Sequence, residues 1–179
     1  THVFGINANI NKLKKFAKKN NKKIIYDAAH CFGITYKGKS ILNYGDASIL
    51  SLQATKIFNT CEGGAIILKN KKDYLFARRL INIGYNYDNT RNENPTEGIN
   101  AKMSELNAAW GLALLPNINK IIKKKKRIYE YYLKKLNQQK FIIINKETNN
   151  NYNYVPVKVN SKKLKDKLIK KLNSKNIYP

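Results

Sequence analysis

Two short stretches carry residues able to act together chemically. The first is Asp27-Ala28-Ala29-His30, which follows the apolar run Ile24-Ile25-Tyr26. A strand over that run leaves Asp27 at its carboxyl end, the edge of an open α/β sheet where ligands bind. A carboxylate there can pair with a protonated ring nitrogen. Ala28 and Ala29 are small enough for a flat ring to lie close, and His30 can reach an oxygen on that ring. The second stretch is Ser51-Leu52-Gln53-Ala54-Thr55-Lys56, which leads to Glu62-Gly63-Gly64. Ser51 offers a hydroxyl to a phosphate oxygen, and Lys56 an amine able to form an imine once burial or a cationic neighbour leaves it unprotonated. Gly63-Gly64 permits a tight turn and close backbone approach. Each stretch also has a plainer reading. Asp27 can be a helix cap or a loop acceptor, and Lys56 an ordinary surface lysine on a hairpin.

An imine-forming lysine and a carboxylate for a pyridine nitrogen are the pair that pyridoxal phosphate requires, because the protonated ring is the better electron sink. The surrounding pattern predicts the elements that hold them. His2-Val3-Phe4 reads as the end of a strand. Asn9 caps a helix over 10–19 with Ile10, Leu13, Phe16 and Ala17 on one face. Residues 23–27, 47–52 and 65–68 read as buried strands, and 73–80 as a helix. This alternation predicts an α/β domain with a mostly parallel sheet. Residues 85–100, polar and containing Pro95 and Gly98, read as a loop. Ser104 caps a helix that Pro116 stops after Leu115, with Met103, Leu106, Ala109, Trp110 and Ala113 on its apolar face. A second helix covers 118–136, and its basic run Lys123 to Arg127 reads as a solvated face. Beyond it, 141–144 and 154–159 read as strands around an Asn-rich turn, and Ser161 caps a helix carrying Leu164, Leu168 and Leu172. Residues 1–116 are thus expected to be part of a large domain. Residues 117–179 are expected to be a linking helix and the start of a small α+β domain.

The 179 residues carry a formal net charge of +24. Such a charge can mark a nucleic-acid surface. However, of 35 basic residues only Arg78, Arg79, Arg91 and Arg127 are arginine, leaving 31 lysines spread along the chain with abundant Asn. Nucleic-acid readers lean on Arg for bidentate contacts. A compositional bias towards Lys, Asn and Ile therefore explains the charge better, with attraction to anionic, phosphate-bearing substrates as its consequence. Cys31 and Cys61 lack metal-knuckle spacing and are too few for a disulfide scaffold, so they read as free thiols of a reducing cytoplasm. No apolar run has membrane-spanning length, and no signal peptide is visible. The chain does not start with Met and stops after Ile177-Tyr178-Pro179, and it is expected to be a fragment lacking sequence at both ends.

Several motifs in order carry a family resemblance. These are Ile25-Tyr26-Asp27-Ala28-Ala29-His30, Tyr36-Lys37-Gly38-Lys39, Gly45-Asp46, Ser51 with Thr55-Lys56, Glu62-Gly63-Gly64, and the segment from Gly98 through Asn100, Lys102 and Glu105 to Ala109. Together they resemble the DegT/StrS-type sugar aminotransferases, pyridoxal-phosphate enzymes of the aspartate-aminotransferase fold, over nearly the whole chain. The resemblance implies a fold type I transferase. It implies Lys56 as the catalytic Schiff-base lysine and proton shuttle, Asp27 on the pyridine nitrogen, His30 on the ring oxygen and Ser51 on the cofactor phosphate. It places Asn100 in a loop that reaches the phosphate of the neighbouring subunit's cofactor, hence a homodimer with shared sites. Gln53 and Lys102 depart from the aromatic or His, and the Arg, usual at their positions. The implied activity is transfer of an amino group, from glutamate, to a nucleotide-linked keto sugar for amino-sugar and surface-glycan synthesis, with the 3-position suggested by the 51–64 block. The alternatives are a dehydratase of the same family, which carries His in place of the lysine, and a basic nucleic-acid-binding domain.

Overall fold

The computed structural model describes residues 1–86, 97–136, 142–143 (backbone only) and 150–179. Its central sheet has three strands in the order β1 (Ile25–Asp27), β4 (Ala47–Ser51), β5 (Gly64–Leu68). β1 and β4 run parallel, with Asp27 opposite Ile49. β5 returns antiparallel, with Ser51 opposite Gly64. The α/β class is as predicted. The described sheet is mixed rather than mostly parallel, because β5, which opens at Gly64 after the 52–63 loop, returns antiparallel beside β4. Gly63 has φ 154°, and a side chain on it would meet Thr60 Oγ1 at 2.5 Å.

The consequence for function is geometric. β1 and β4 end, and β5 begins, at one edge of the sheet. Asp27, Ser51 and the 52–63 loop that carries Lys56 all lie at that edge.

The core lies under β1. Ile10, from helix α1 (Ile10–Lys19), packs with Tyr26, Ala28, Cys31, Ile34 and Ile41, all buried. Removing each large aliphatic side chain of this set from water is worth roughly 1.5–3 kcal/mol. A small hairpin of β2 (Thr35–Tyr36) and β3 (Lys39–Ser40) folds beside it. The 23–27 segment is only half buried: Tyr26 faces inward at 2% exposure while Ile25 is 66% exposed.

The chain start is not a strand end as predicted. The His2 N–H does donate to Asp27 O at 2.8 Å, but Phe4, at φ 58°, turns the chain into a 3-10 turn over Val3–Gly5. The helices follow their caps. Asn9, Asn70, Ser104 and Ser161 each accept a backbone N–H three residues on, opening α1, α2 (Lys71–Leu80), α3 (Glu105–Leu114) and α5 (Lys162–Asn173). Pro116 ends α3 without ending the helical course. Its fixed φ suits the first turn of a helix, so a 3-10 turn over Leu115–Asn117 leads directly into α4 (Ile118–Leu136). β6 (Ile142–Ile143) and β7 (Val157–Lys158) pair antiparallel, apart from the central sheet. The strand expected over 154–159 is thus shorter. Most of the loop predicted over 85–100, with Pro95, lies outside the described residues, as do Phe141 and Ile144.

Candidate active site

Asp27 is exposed at the end of β1. One carboxylate oxygen accepts the Ala29 N–H at 3.1 Å, which aims the group past the strand end. No Lys or Arg among the described residues forms an ion pair with it. A carboxylate held by one oxygen, with the other open at a sheet edge, suits a protonated ring nitrogen.

His30 is oriented by the turn that replaces the predicted strand. The Phe4 N–H donates to its Nδ1 at 3.0 Å, which leaves the proton of the neutral ring on Nε2 as a free donor. Burial pushes the His30 imidazole below its ordinary value, the positive charge of Lys56 pushes it the same way, and Asp27 opposes both. His30, Lys56 and Asp27 therefore share one electrostatic neighbourhood.

Lys56 is half buried in the 52–63 loop, whose fold is over-determined. Leu52 N–H donates to Gly63 O and Thr60 N–H to Leu52 O, closing the loop at its base. Lys56 N–H donates to Gln53 O at 2.9 Å, and the Gln53 side chain accepts the Thr55 N–H at 2.9 Å. Gln53, a departure from the family pattern, thus shapes the turn that presents Lys56. Buried Ile57 anchors the loop, and Phe58 stacks on Phe32 with centroids 4.5 Å apart. From outside, α3 braces it: Asn107 Nδ2 donates to Thr60 O, and Trp110 Nε1 to Asn59 Oδ1 at 3.0 Å. This approach needs Gly111, where an added Cβ would lie 2.8 Å from Thr60 Cγ2.

Ser51 stands at the same edge, its hydroxyl accepting the Gln53 N–H at 3.4 Å. Asn100 lies elsewhere on the chain's surface. It is exposed, bridges to Asn82 through the backbone, and sits beside Lys102, whose Nζ donates to Asn82 Oδ1 at 3.0 Å. The structure thus gathers Asp27, His30, Ser51 and Lys56 at one edge and leaves Asn100 turned to solvent. Neither thiol takes part: Cys31 is buried, pushed up to about 12 by that burial, and Cys61 is exposed, both free.

Nothing in the sequence pointed to the site's other wall. Residues 150–154 return across it. Asn151, buried, donates through Nδ2 to His30 O and Phe32 O at 2.9 and 3.0 Å. Asn153 Nδ2 donates to Thr55 O at 3.3 Å. Tyr154 lies against the His30 ring, centroids 4.5 Å apart, and its hydroxyl accepts from Lys56 Nζ at 3.5 Å. The Asn-rich turn looked like plain loop composition, and only contacts across 98 residues reveal its role.

The profile of the DegT/DnrJ/EryC1/StrS aminotransferase family matches residues 1–178. The chain belongs to that family. Among its relatives, the dTDP-4-amino-4,6-dideoxy-D-glucose transaminase of Shigella dysenteriae is 35% identical over 182 residues, covering 99% of this chain and 49% of the relative. The chain spans about half the length of the relatives it matches. DesI, solved in the presence of its TDP-sugar product, superposes with a TM-score of 0.88 at 28% identity, over 99% of this chain and 46% of that one. NtdA from Bacillus subtilis, solved with bound cofactor PMP, gives a TM-score of 0.83 at 22% identity, over 97% of this chain and 40% of that one, a likeness of fold. The DegT/DnrJ/EryC1/StrS fold is thus that of type I pyridoxal-phosphate transferases, and pyridoxal phosphate is the cofactor of the family. The donor set fits it: an amine, an unpaired carboxylate, an imidazole N–H and a hydroxyl at one sheet edge.

Among the described residues no three His, Cys, Asp or Glu side chains form a metal-binding group, and no helix is long and apolar enough to cross a membrane.

Proposed function

We propose that this chain is the Lys56-bearing part of a pyridoxal-phosphate aminotransferase that moves an amino group from glutamate to a nucleotide-linked keto sugar. The observation that carries the reading is the convergence of Lys56, His30 and Asp27 at the carboxyl edge of β1 and β4. Bound pyridoxal phosphate supplies the electron sink that lets a proton leave the amino-bearing carbon of a substrate. Lys56 Nζ anchors the cofactor and, once displaced, takes and returns that proton as general base and acid. Asp27 keeps the pyridine nitrogen protonated, His30 Nε2–H donates to the ring oxygen, and Ser51 Oγ holds a phosphate oxygen. The chain's net charge of +24 favours an anionic diphosphate.

The Shigella relative and its name support a 4-amino product. We place the amine at the sugar's 4-position in preference to the 3-position. Asn100, exposed on its loop, is the residue proposed to reach a second subunit's cofactor in a homodimer. Residues 1–116 are read as part of the cofactor-binding domain and 117–179 as the linking helix with part of a smaller one, a division supported by the separate β6–β7 pair. The free thiols fit a cytoplasmic setting.

The test is incubation of the whole protein that carries this chain with pyridoxal phosphate, glutamate and dTDP-4-keto-6-deoxyglucose, followed by mass spectrometry. Formation of 2-oxoglutarate together with the 4-amino sugar is the expected result. A product that has lost water and gained no nitrogen would point instead to the dehydratase reading.

A further inference from the structure

Three observations converge on Tyr154. Its hydroxyl is 3.5 Å from Lys56 Nζ, its ring lies against His30, and Phe4 completes a cluster of three rings, with its centroid 5.6 Å from that of Tyr154 and 6.1 Å from that of His30. The segment that carries it is not loosely draped. Asn150 and Asn151 are buried, at 8% and 2% exposure, and Asn151 and Asn153 bond to the backbone of the loops that hold His30 and Lys56. Tyr152, two residues before it, sits edge-on to Tyr129 of α4 at 5.5 Å. The segment is therefore fixed on both sides, and Tyr154 reaches Lys56 from a defined direction.

We propose that Tyr154 is a positioning residue for Lys56, its hydroxyl holding the lysine amine beside His30 whenever that amine is not bound to the cofactor. A lysine side chain is long and flexible and would otherwise sample many directions. A single acceptor at the far end of the chain selects one of them. It also couples the site to the 150–154 segment, so that displacement of this segment releases the lysine. The inference rests on the proposed role of Lys56 for its meaning, but the contact itself concerns only this chain's residues.

The test uses cofactor-free full chain and an amine-acylating reagent, with the labelling of Lys56 read by peptide mass spectrometry against exposed Lys23 in the same sample. Tyr154→Phe keeps the ring on His30 and removes only the hydroxyl. Freed from the hydroxyl, the Lys56 amine should react more readily, and its labelling at pH 8 relative to Lys23 should increase about three- to tenfold, the size expected for losing one partly solvated hydrogen bond. Tyr154→Met, which also lacks the acceptor, serves as the second variant should the first fold poorly. An unchanged Lys56 to Lys23 ratio in a folded variant would overturn the proposal and leave Tyr154 as packing. Adding pyridoxal phosphate to the wild-type chain separates the two readings. If the cofactor fails to protect Lys56 from the reagent, the cofactor role is lost, whatever the Tyr154 variants show.

Discussion

Lys56 is one of 31 lysines, and its surroundings are what distinguish it: an imidazole, a phenol and an open carboxylate within one corner of the fold. Asp27 is the clearest residue to probe. Asp27→Asn keeps shape and the Ala29 contact but removes the charge that holds a ring nitrogen protonated. Turnover is expected to fall about 10- to 100-fold, the worth of one charge-assisted hydrogen bond, and steady-state kinetics measure it. His30 and His2 make a separate prediction about pH. Burial lowers both below 6.5. Between 6.5 and those lower values the unfolded chain binds protons that the folded chain refuses, so the contribution of the two histidines to stability is level above pH 6.5 and is lost as pH falls from there through the folded values. Urea midpoints at about pH 7.5 and about pH 5.5 should show this fall. His30→Gln should make it shallower, and an equal fall in that variant would contradict the assignment. Type and spacing marked Asp27, His30, Ser51 and Lys56 as candidates, the family resemblance supplied their expected roles, and the structure brings the four to one edge. Tyr154 was not marked, because nothing local distinguishes a tyrosine that meets a lysine 98 residues away from one in a strand.

The elements matter here as supports. β1 and β4 run parallel and end together, and that alone puts two distant motifs at one edge. Helix α3 then presses on the lysine loop through Gly111, Asn107 and Trp110. Gly111→Val would drive a branched side chain into Thr60 and should destabilise the fold by about 1–3 kcal/mol, read by urea denaturation, while weakening retention of the cofactor. Asn151→Leu would leave the carbonyls of His30 and Phe32 without their donor, at a cost of about 1–3 kcal/mol for each group left unsatisfied. Helices were legible from their caps and apolar spacing because those signals are local. The 3-10 turn at Val3–Gly5 was not, since Phe4 occupies a left-handed conformation that its sequence does not announce, and the turn exists to serve His30. The antiparallel return of β5 was half legible. Gly63-Gly64 marked a tight turn, but the strand direction followed only from the pairing.

Across the whole molecule, large apolar side chains remain uncovered. On α3, Leu106 is 85% exposed and Leu112 71%, and Ile66 on β5 is 58% exposed. The proposed homodimer with shared sites predicts complementation. Lys56→Ala and Asn100→Ala chains, each inactive, should when mixed and reassociated regain about a quarter of wild-type activity, because half of the dimers are hybrids with one intact site. No recovery on mixing would place Asn100 with its own subunit's cofactor or outside the site.

The proposed chemistry stands or falls with Lys56 as the anchor of pyridoxal phosphate. Borohydride reduction of the whole protein that carries this chain, incubated with pyridoxal phosphate and with the modified residue mapped by mass spectrometry, meets that point head-on. Lys56 should carry a pyridoxyl group at a stoichiometry well above that of the other lysines, and the signal should be absent from Lys56→Ala. Folded protein in which Lys56 is unmodified, or is labelled no more than the surface lysines, would contradict it.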